Sequence, residues 1–104
     1  EDISVKSLSG AHRTFLRGLA HSLNPVIQVG KNGITPELIK AVDEALGSHE
    51  LIKIKFMEFK DEKKELAVQI GEKTMSENVG MIGNIAIFYR EQPDKEKRKI
   101  ILPK

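Results

Sequence analysis

Gly30-Lys31-Asn32-Gly33 is the stretch of this sequence whose residue types and spacing best suit chemistry with an anion. Two glycines three positions apart permit positive φ and let a ligand reach the main chain with no Cβ in the way. The stretch follows an apolar run, Val26-Ile27-Gln28-Val29, and precedes Thr35-Pro36-Glu37. That second triplet is a strong helix start, with a Thr cap, Pro at the first helical position and an acid in the first turn. A turn joining a strand end to a helix start leaves N–H groups at the positive end of the helix, where a phosphate is favoured. Lys31 adds a mobile charge at the tip. A P-loop would need GxxxxGK followed by Ser or Thr, which is absent.

The surroundings sharpen this reading. Not one Asp or Glu occurs from Ile3 to Pro36, while Lys6, His12, Arg13, Arg17, His21 and Lys31 all fall there. A basic local field on a chain of net charge +2 is the footprint of a polyanion site. At about 100° per residue, Arg13, Arg17 and His21 fall on one face of a helix. The glycine turn resembles the GxxG loop by which KH domains clamp an RNA backbone. GxxG alone also describes an ordinary β–α turn, and the basic context is what favours the anion. Lys53 and Lys55 share one face of a strand and Arg90 follows another, so solvated face and nucleic-acid contact both stay open for them. Lys95, Lys97, Arg98 and Lys99 are interrupted by Asp94 and Glu96 and read as a solvated tail.

Catalysis has little to stand on. His12, His21 and His49 show no metal-ligand spacing, and no GxSxG context surrounds Ser7 or Ser9. His49-Glu50 could form an acid–base pair, but a structural role is favoured. Zero Cys excludes disulfides and thiolate sites and is compatible with a reducing, cytoplasmic setting. No signal peptide is expected at Glu1-Asp2, and no apolar run approaches the roughly 18 residues of a membrane span. With 104 residues, 39% hydrophobic and 31% charged, the expectation is one globular domain, its core at about 8–92 and a tail at 93–104.

The elements that must position the turn follow from periodicity. Ser9 caps a first helix, with His12, Phe15, Leu16, Leu19 and Leu23 as its apolar stripe and Asn24-Pro25 as its stop. Gly18 within it suggests close approach of another backbone. Val26 to Val29 reads as a short buried strand. The second helix carries Leu38, Ile39, Val42, Ala45 and Leu46 and ends at Gly47. Leu51 to Phe59 alternates as the longest strand. Asp61 to Thr74 is ambiguous, and its strong helix formers favour a helix. Val79–Ile82 and Ile85–Tyr89 form a hairpin about Gly83-Asn84. Ile100-Ile101-Leu102 is either an added strand or a docked tail. The order α-β-α-β-α-β-β predicts an α/β (α+β) fold with a four-stranded mixed sheet.

These motifs together resemble a known family. Leu16-Arg17-Gly18-Leu19-Ala20-His21, Pro25, Gly30 to Gly33, His49-Glu50-Leu51-Ile52-Lys53, Ile82-Gly83 and Phe88-Tyr89-Arg90 look like the CRM domain (chloroplast RNA splicing and ribosome maturation) in its bacterial single-domain, YhbY-like form. The resemblance runs from about Leu8 to Leu102. It implies a sheet similar to that of the C-terminal domain of translation initiation factor three. It also implies RNA binding through Gly30, Lys31, Asn32 and Gly33, with Arg17, His21, Lys53 and Arg90 as basic companions; the charge pattern adds Arg13. The implied role is in assembly of the large ribosomal subunit; with the absent catalytic motifs and cysteines, the expectation is a non-enzymatic cytoplasmic monomer without cofactor, metal or membrane. The alternative is a protein-interaction module on ribosomes or assembly factors, using the open face of the sheet or the tail. The low aromatic count and absent RNP signature lead us to expect backbone contacts to dominate over base stacking.

Overall fold

The computed structural model describes residues 8–103. Glu1-Asp2 and Lys6 therefore lie outside the described residues. The elements are α1 (Gly10–Ala20), β1 (Ile27–Val29), α2 (Pro36–His49), β2 (Leu51–Phe56), α3 (Lys63–Thr74), β3 (Glu77–Ile82) and β4 (Ile85–Tyr89), then a short 3-10 turn at Lys95–Lys97. The order matches the one expected, and the ambiguous segment is a helix. The sheet runs β1-β2-β4-β3, with β1 parallel to β2 and the other pairs antiparallel. A right-handed β1-α2-β2 crossover is what such a parallel pair requires.

Alternation along the strands divides the core in two. Ile52, Ile54 and Phe56 of β2 join Ala86 and Phe88 of β4 beneath α2 and α3, with Val42, Leu46, Ala67 and Ile70 from the helices. On the other face Leu51, Val79, Ile87 and Tyr89 receive Leu16 and Ala20 of α1, and Ile100 and Leu102 pack beside them. The C-terminal apolar patch is thus a docked tail and not a strand.

Several local expectations need correction. The face of α1 that meets the sheet is Arg13, Leu16, Arg17 and Ala20, at spacings of three and four. Phe15, Leu19 and Leu23 of the expected stripe stay 37–40% exposed. The arginines belong to the packed face because their guanidinium groups find carbonyl partners on β3, described below, while their stems cover apolar surface. No atom lies within 4 Å of a Cβ built on Gly18, so no backbone approaches there. β1 is an edge strand in which Val29 alone is fully buried. β2 stops at Phe56: the Phe56 N–H still donates to Asn84 O at 2.7 Å, but those of Met57 and Glu58 turn to Val29 O at 3.0 and 3.3 Å.

The second helix passes through Gly47 and ends two residues later, because Glu50 breaks it with a positive φ of 65°. A non-glycine residue there is strained, and the compensation is visible. Glu50 is 1% exposed. Its Oε1 accepts the N–H groups of Lys99 (2.7 Å) and Ile100 (3.0 Å), and its Oε2 that of Gln92 (2.9 Å). Its own N–H donates to Leu46 O, and its carbonyl accepts from the Arg90 N–H. One buried carboxylate thereby ties the end of α2, the end of β4 and the tail together. Replacing it by Ala keeps the strained φ but leaves those N–H donors without an acceptor, so Glu50→Ala should lower stability by about 2–4 kcal/mol. Hydrogen exchange should accelerate at the Lys99 and Ile100 amides in particular; protection there that survives the substitution would contradict this role.

Tyr89 closes the same region. Its hydroxyl is buried and has no hydrogen-bond partner among the described residues. Burial first, then the negative charges of Glu91 and Glu50, push its pKa up to about 12 against the opposing effect of Arg98. The folded state therefore holds this proton more tightly than the unfolded chain, whose tyrosine titrates near pH 10. The associated stability is complete below about pH 10 and is lost as pH rises towards about 12. Tyr89→Phe should flatten that alkaline loss and leave stability at neutral pH unchanged or raised by up to about 1 kcal/mol. Unfolding curves of the two proteins between pH 7 and 12 decide it; identical alkaline slopes would count against the assignment.

Candidate nucleic-acid interface

The sheet has two dissimilar ends. At one lie the start of β2, the end of β4 and the start of β3, where Leu51 pairs with Tyr89 and Tyr89 with Glu77. At the other lie the ends of β1 and β2, the β3–β4 turn and the N-termini of α2 and α3. The loop Gly30 to Gly33 sits at this second end. It is a tight turn closed by the Gly33 N–H donating to Gly30 O at 3.0 Å. Only Gly33 uses positive φ, at 67°. Gly30 does not, and nothing lies within 4 Å of a Cβ built on it, so the fold itself does not demand glycine there.

After the turn, the Thr35 hydroxyl accepts the Leu38 N–H at 3.0 Å and Pro36 opens α2. The N-terminus of α2 thus starts beside the loop, with its positive dipole end directed there. α3 begins at the same end of the sheet and has no side-chain cap. Lys63 binds its first turn to the hairpin, donating Nζ to Gly83 O (2.7 Å) and Asn84 Oδ1 (3.1 Å). Gly83 supplies the positive φ of that turn, at 59°. Lys31 and Asn32 are both exposed at the loop tip, and among the described residues Lys31 makes no hydrogen bond or ion pair.

The other basic residues singled out in the sequence are not gathered around the loop. Arg13 donates to Asn78 O (3.0 Å) and pairs with Glu77 Oε1 (2.8 Å). Arg17 donates to Val79 O (2.8 Å). The β3–β4 register shifts between Asn78 and Gly80, so Val79 is an extra residue in a bulge. Such a residue loses its ladder partner, and Arg17 satisfies its carbonyl. The arginine stem lies so close over Gly80 that a Cβ there would stand 2.7 Å from Arg17 Cδ. Lys53 lies on the α1 side of β2 and donates to Leu23 O (3.0 Å). His21 follows α1 and is exposed. Arg90 belongs to the opposite end of the sheet, where it bridges α2 and α3 through Asp43 Oδ1 (2.6 Å), Asp43 O (3.0 Å) and Thr74 O (2.8 Å).

Sequence reasoning overlooked Lys63, Asn84 and Phe59, which the turns bring to the loop's end of the sheet. The Gly83-Asn84 turn signal located the hairpin but could not say which end of the sheet it shares with Gly30. Among the described residues no group of three or more His, Asp or Glu could hold a metal ion. The arginines that serve the fold and the lysine that does not are separable by stability. Arg17→Met and Arg90→Met should each cost about 1–3 kcal/mol in chemical denaturation, and Lys31→Met less than about 0.5 kcal/mol. A Lys31 variant as destabilised as the arginine variants would contradict this division.

Known proteins share this pattern. The family model described as the CRS1 / YhbY (CRM) domain matches residues 8–90. A Haemophilus influenzae protein named "RNA-binding protein" is 40% identical over 101 residues, which are 96% of this chain and 99% of that one. The Bacillus subtilis protein named "Probable RNA-binding protein YqeI" is 38% identical over 97 residues, or 92% and 99% of the two chains. A solution structure from Staphylococcus aureus superposes with a TM-score of 0.80 at 41% identity, covering 93% of this chain and all of the other. The mixed four-stranded sheet, the glycine loop and this span of matched residues come together in one conclusion: the chain belongs to the CRS1 / YhbY (CRM) domain family.

Proposed function

We propose that this chain binds RNA without catalysing a reaction, capturing the phosphate backbone at the Gly30 to Gly33 loop. The observation that carries the proposal is the loop itself. A glycine the fold does not require, an unpaired lysine among the described residues and the start of α2 converge on one exposed point. A phosphate placed there would meet main-chain N–H groups, a helix dipole and a mobile cation. Arg13, Arg17, His21, Lys53 and Arg90 lie away from that point and would meet only RNA that runs on beyond the loop; each arginine keeps N–H donors beyond those used within the fold. The names of the relatives support an RNA partner. The resemblance to bacterial single-domain CRM proteins supports structured ribosomal RNA of a large-subunit precursor, bound by a cytoplasmic monomer during assembly.

One observation favours the second reading, a protein-interaction module. Leu19, Leu23, Val26, Leu51 and Ile100 line an open apolar groove of about 540 Å³ between α1, β2 and the tail. Nuclease treatment separates the two readings, since a protein contact survives it.

The backbone reading predicts that log affinity falls with log salt with a slope of roughly −3 to −5, as expected for about five phosphate contacts on irregular RNA. Replacing Lys31 and Asn32 together by Asp places two acids at the phosphate site, and turn conformations tolerate Asp. Affinity should fall by about 2 kcal/mol or more, to a similar extent for unrelated RNA sequences, because phosphates carry no sequence information. Lys95→Asp with Lys97→Asp changes the tail charge by more and should cost less. A tail variant that loses more affinity than the loop variant, with both folded, would show that general basicity and not the loop is responsible.

A further inference from the structure

We propose that Phe59 is a stacking platform for one unpaired base of the RNA whose backbone the glycine loop holds. The inference rests on the RNA reading above and adds a substrate preference to it, for single-stranded over paired segments.

Three of the chain's five aromatic side chains, Phe56, Phe88 and Tyr89, are 0–3% exposed in the core, and Phe15 is 37% exposed on α1. Phe59 differs from the core three in three respects. It remains 40% exposed, three residues after a buried strand ends at Phe56. Its backbone adopts φ 58°, a conformation that glycine or asparagine would accept with far less strain. Its ring borders the loop, with Cε2 and Cζ standing 3.4 and 3.6 Å from a Cβ built on Gly33.

The connection that presents it is held in place. The Met57 and Glu58 N–H groups both donate to Val29 O, the residue before Gly30, and the Glu62 N–H donates to Phe59 O at 3.0 Å. The bulky side chain is thus fixed at a strained position, with one edge against the loop and much of its surface in water. Burial alone does not account for that arrangement, since the residue keeps 40% of its surface exposed where the core aromatics keep 0–3%. A planar apolar surface beside a phosphate-binding turn suits a base of the same or the next nucleotide. Glu58, Asp61 and Glu62 adjoin Lys60 here, so attraction at a distance comes from the loop, and Phe59 acts only at contact. A paired base cannot reach the ring face without leaving its duplex, whereas an unpaired base can. Because every base has a π-face, the platform tolerates sequence.

The test compares the 104-residue protein with Phe59→Leu and Phe59→Trp on two probes at low salt. One probe is an unstructured single-stranded RNA of about ten nucleotides, the other a fully paired RNA hairpin. Leu keeps apolar contact with Gly33 but offers no stacking plane, whereas Trp keeps the plane. The single strand should bind Phe59→Leu roughly five- to a hundredfold more weakly than the parent, with hairpin affinity unchanged. Phe59→Trp should retain single-strand affinity. The chain contains no Trp, so the introduced indole is the sole tryptophan fluorophore, and the single strand should quench it while the hairpin does not. Parental single-strand affinity in Phe59→Leu, or an unquenched indole in a bound complex, overturns the platform while the loop's role stands if the Lys31/Asn32 double variant still loses both probes. Should Phe59→Leu fail to fold, the quenching result decides alone. A parent protein that binds neither probe overturns the RNA reading, and the platform with it.

Discussion

The Glu50 carboxylate is the contact on which the arrangement of this domain turns. It is buried, sits on a residue strained at positive φ, and accepts N–H groups from Gln92, Lys99 and Ile100. A buried carboxylate is tolerated only where hydrogen bonds replace its water, and here main-chain donors do so with no ion-paired cation among the described residues. By fixing where α2 ends and β2 begins, it sets the β1–β2 pairing that delivers Val29 and the glycine loop to the far end of the sheet. By gathering the tail, it brings Ile100 and Leu102 over the side of the sheet on which α1 lies.

That contact also defines a polarity in the molecule. At the Glu50 end, Arg90 spans α2 and α3 and Arg13 pairs with Glu77, so cations there are spent largely on the fold. At the opposite end two glycine turns, the N-termini of α2 and α3, and Lys31 face outward. Charge in this chain is therefore better sorted by what each side chain already touches than by where basic residues cluster in sequence. A guanidinium satisfying a bulge carbonyl keeps a fixed orientation and can at most add a donor to a ligand. A lysine at a turn tip is free to follow a phosphate.

Much of the fold was legible because its signals are local. Ser9 and Thr35 do cap their helices, alternation in Leu51 to Phe56 does mark a central strand, and Gly83-Asn84 does turn a hairpin. The errors arose where a distant partner decides the outcome. Arg13 and Arg17 read as a basic face apart from the apolar stripe until the bulge at Val79 supplies carbonyls for them. Gly47 looks like a helix end until Glu50 finds three amides more than forty residues away in sequence. The glycine loop could be picked out, but its neighbours Phe59, Lys63 and Asn84 could not, since they meet it only through sheet topology. Phe59 in particular read as the end of a strand.

On the function proposed above, RNA is taken at the glycine-loop end of the sheet and not on the α1 face or the tail. This is tested most directly by following backbone amide resonances during titration with a short single-stranded RNA. The largest shifts should then occur at Gly30 to Gly33, in the first turn of α2 and from Met57 to Lys64, with little change at Leu19, Leu23, Lys99 and Ile100. Shifts concentrated along the apolar groove or the tail, with the glycine loop unmoved, would contradict it.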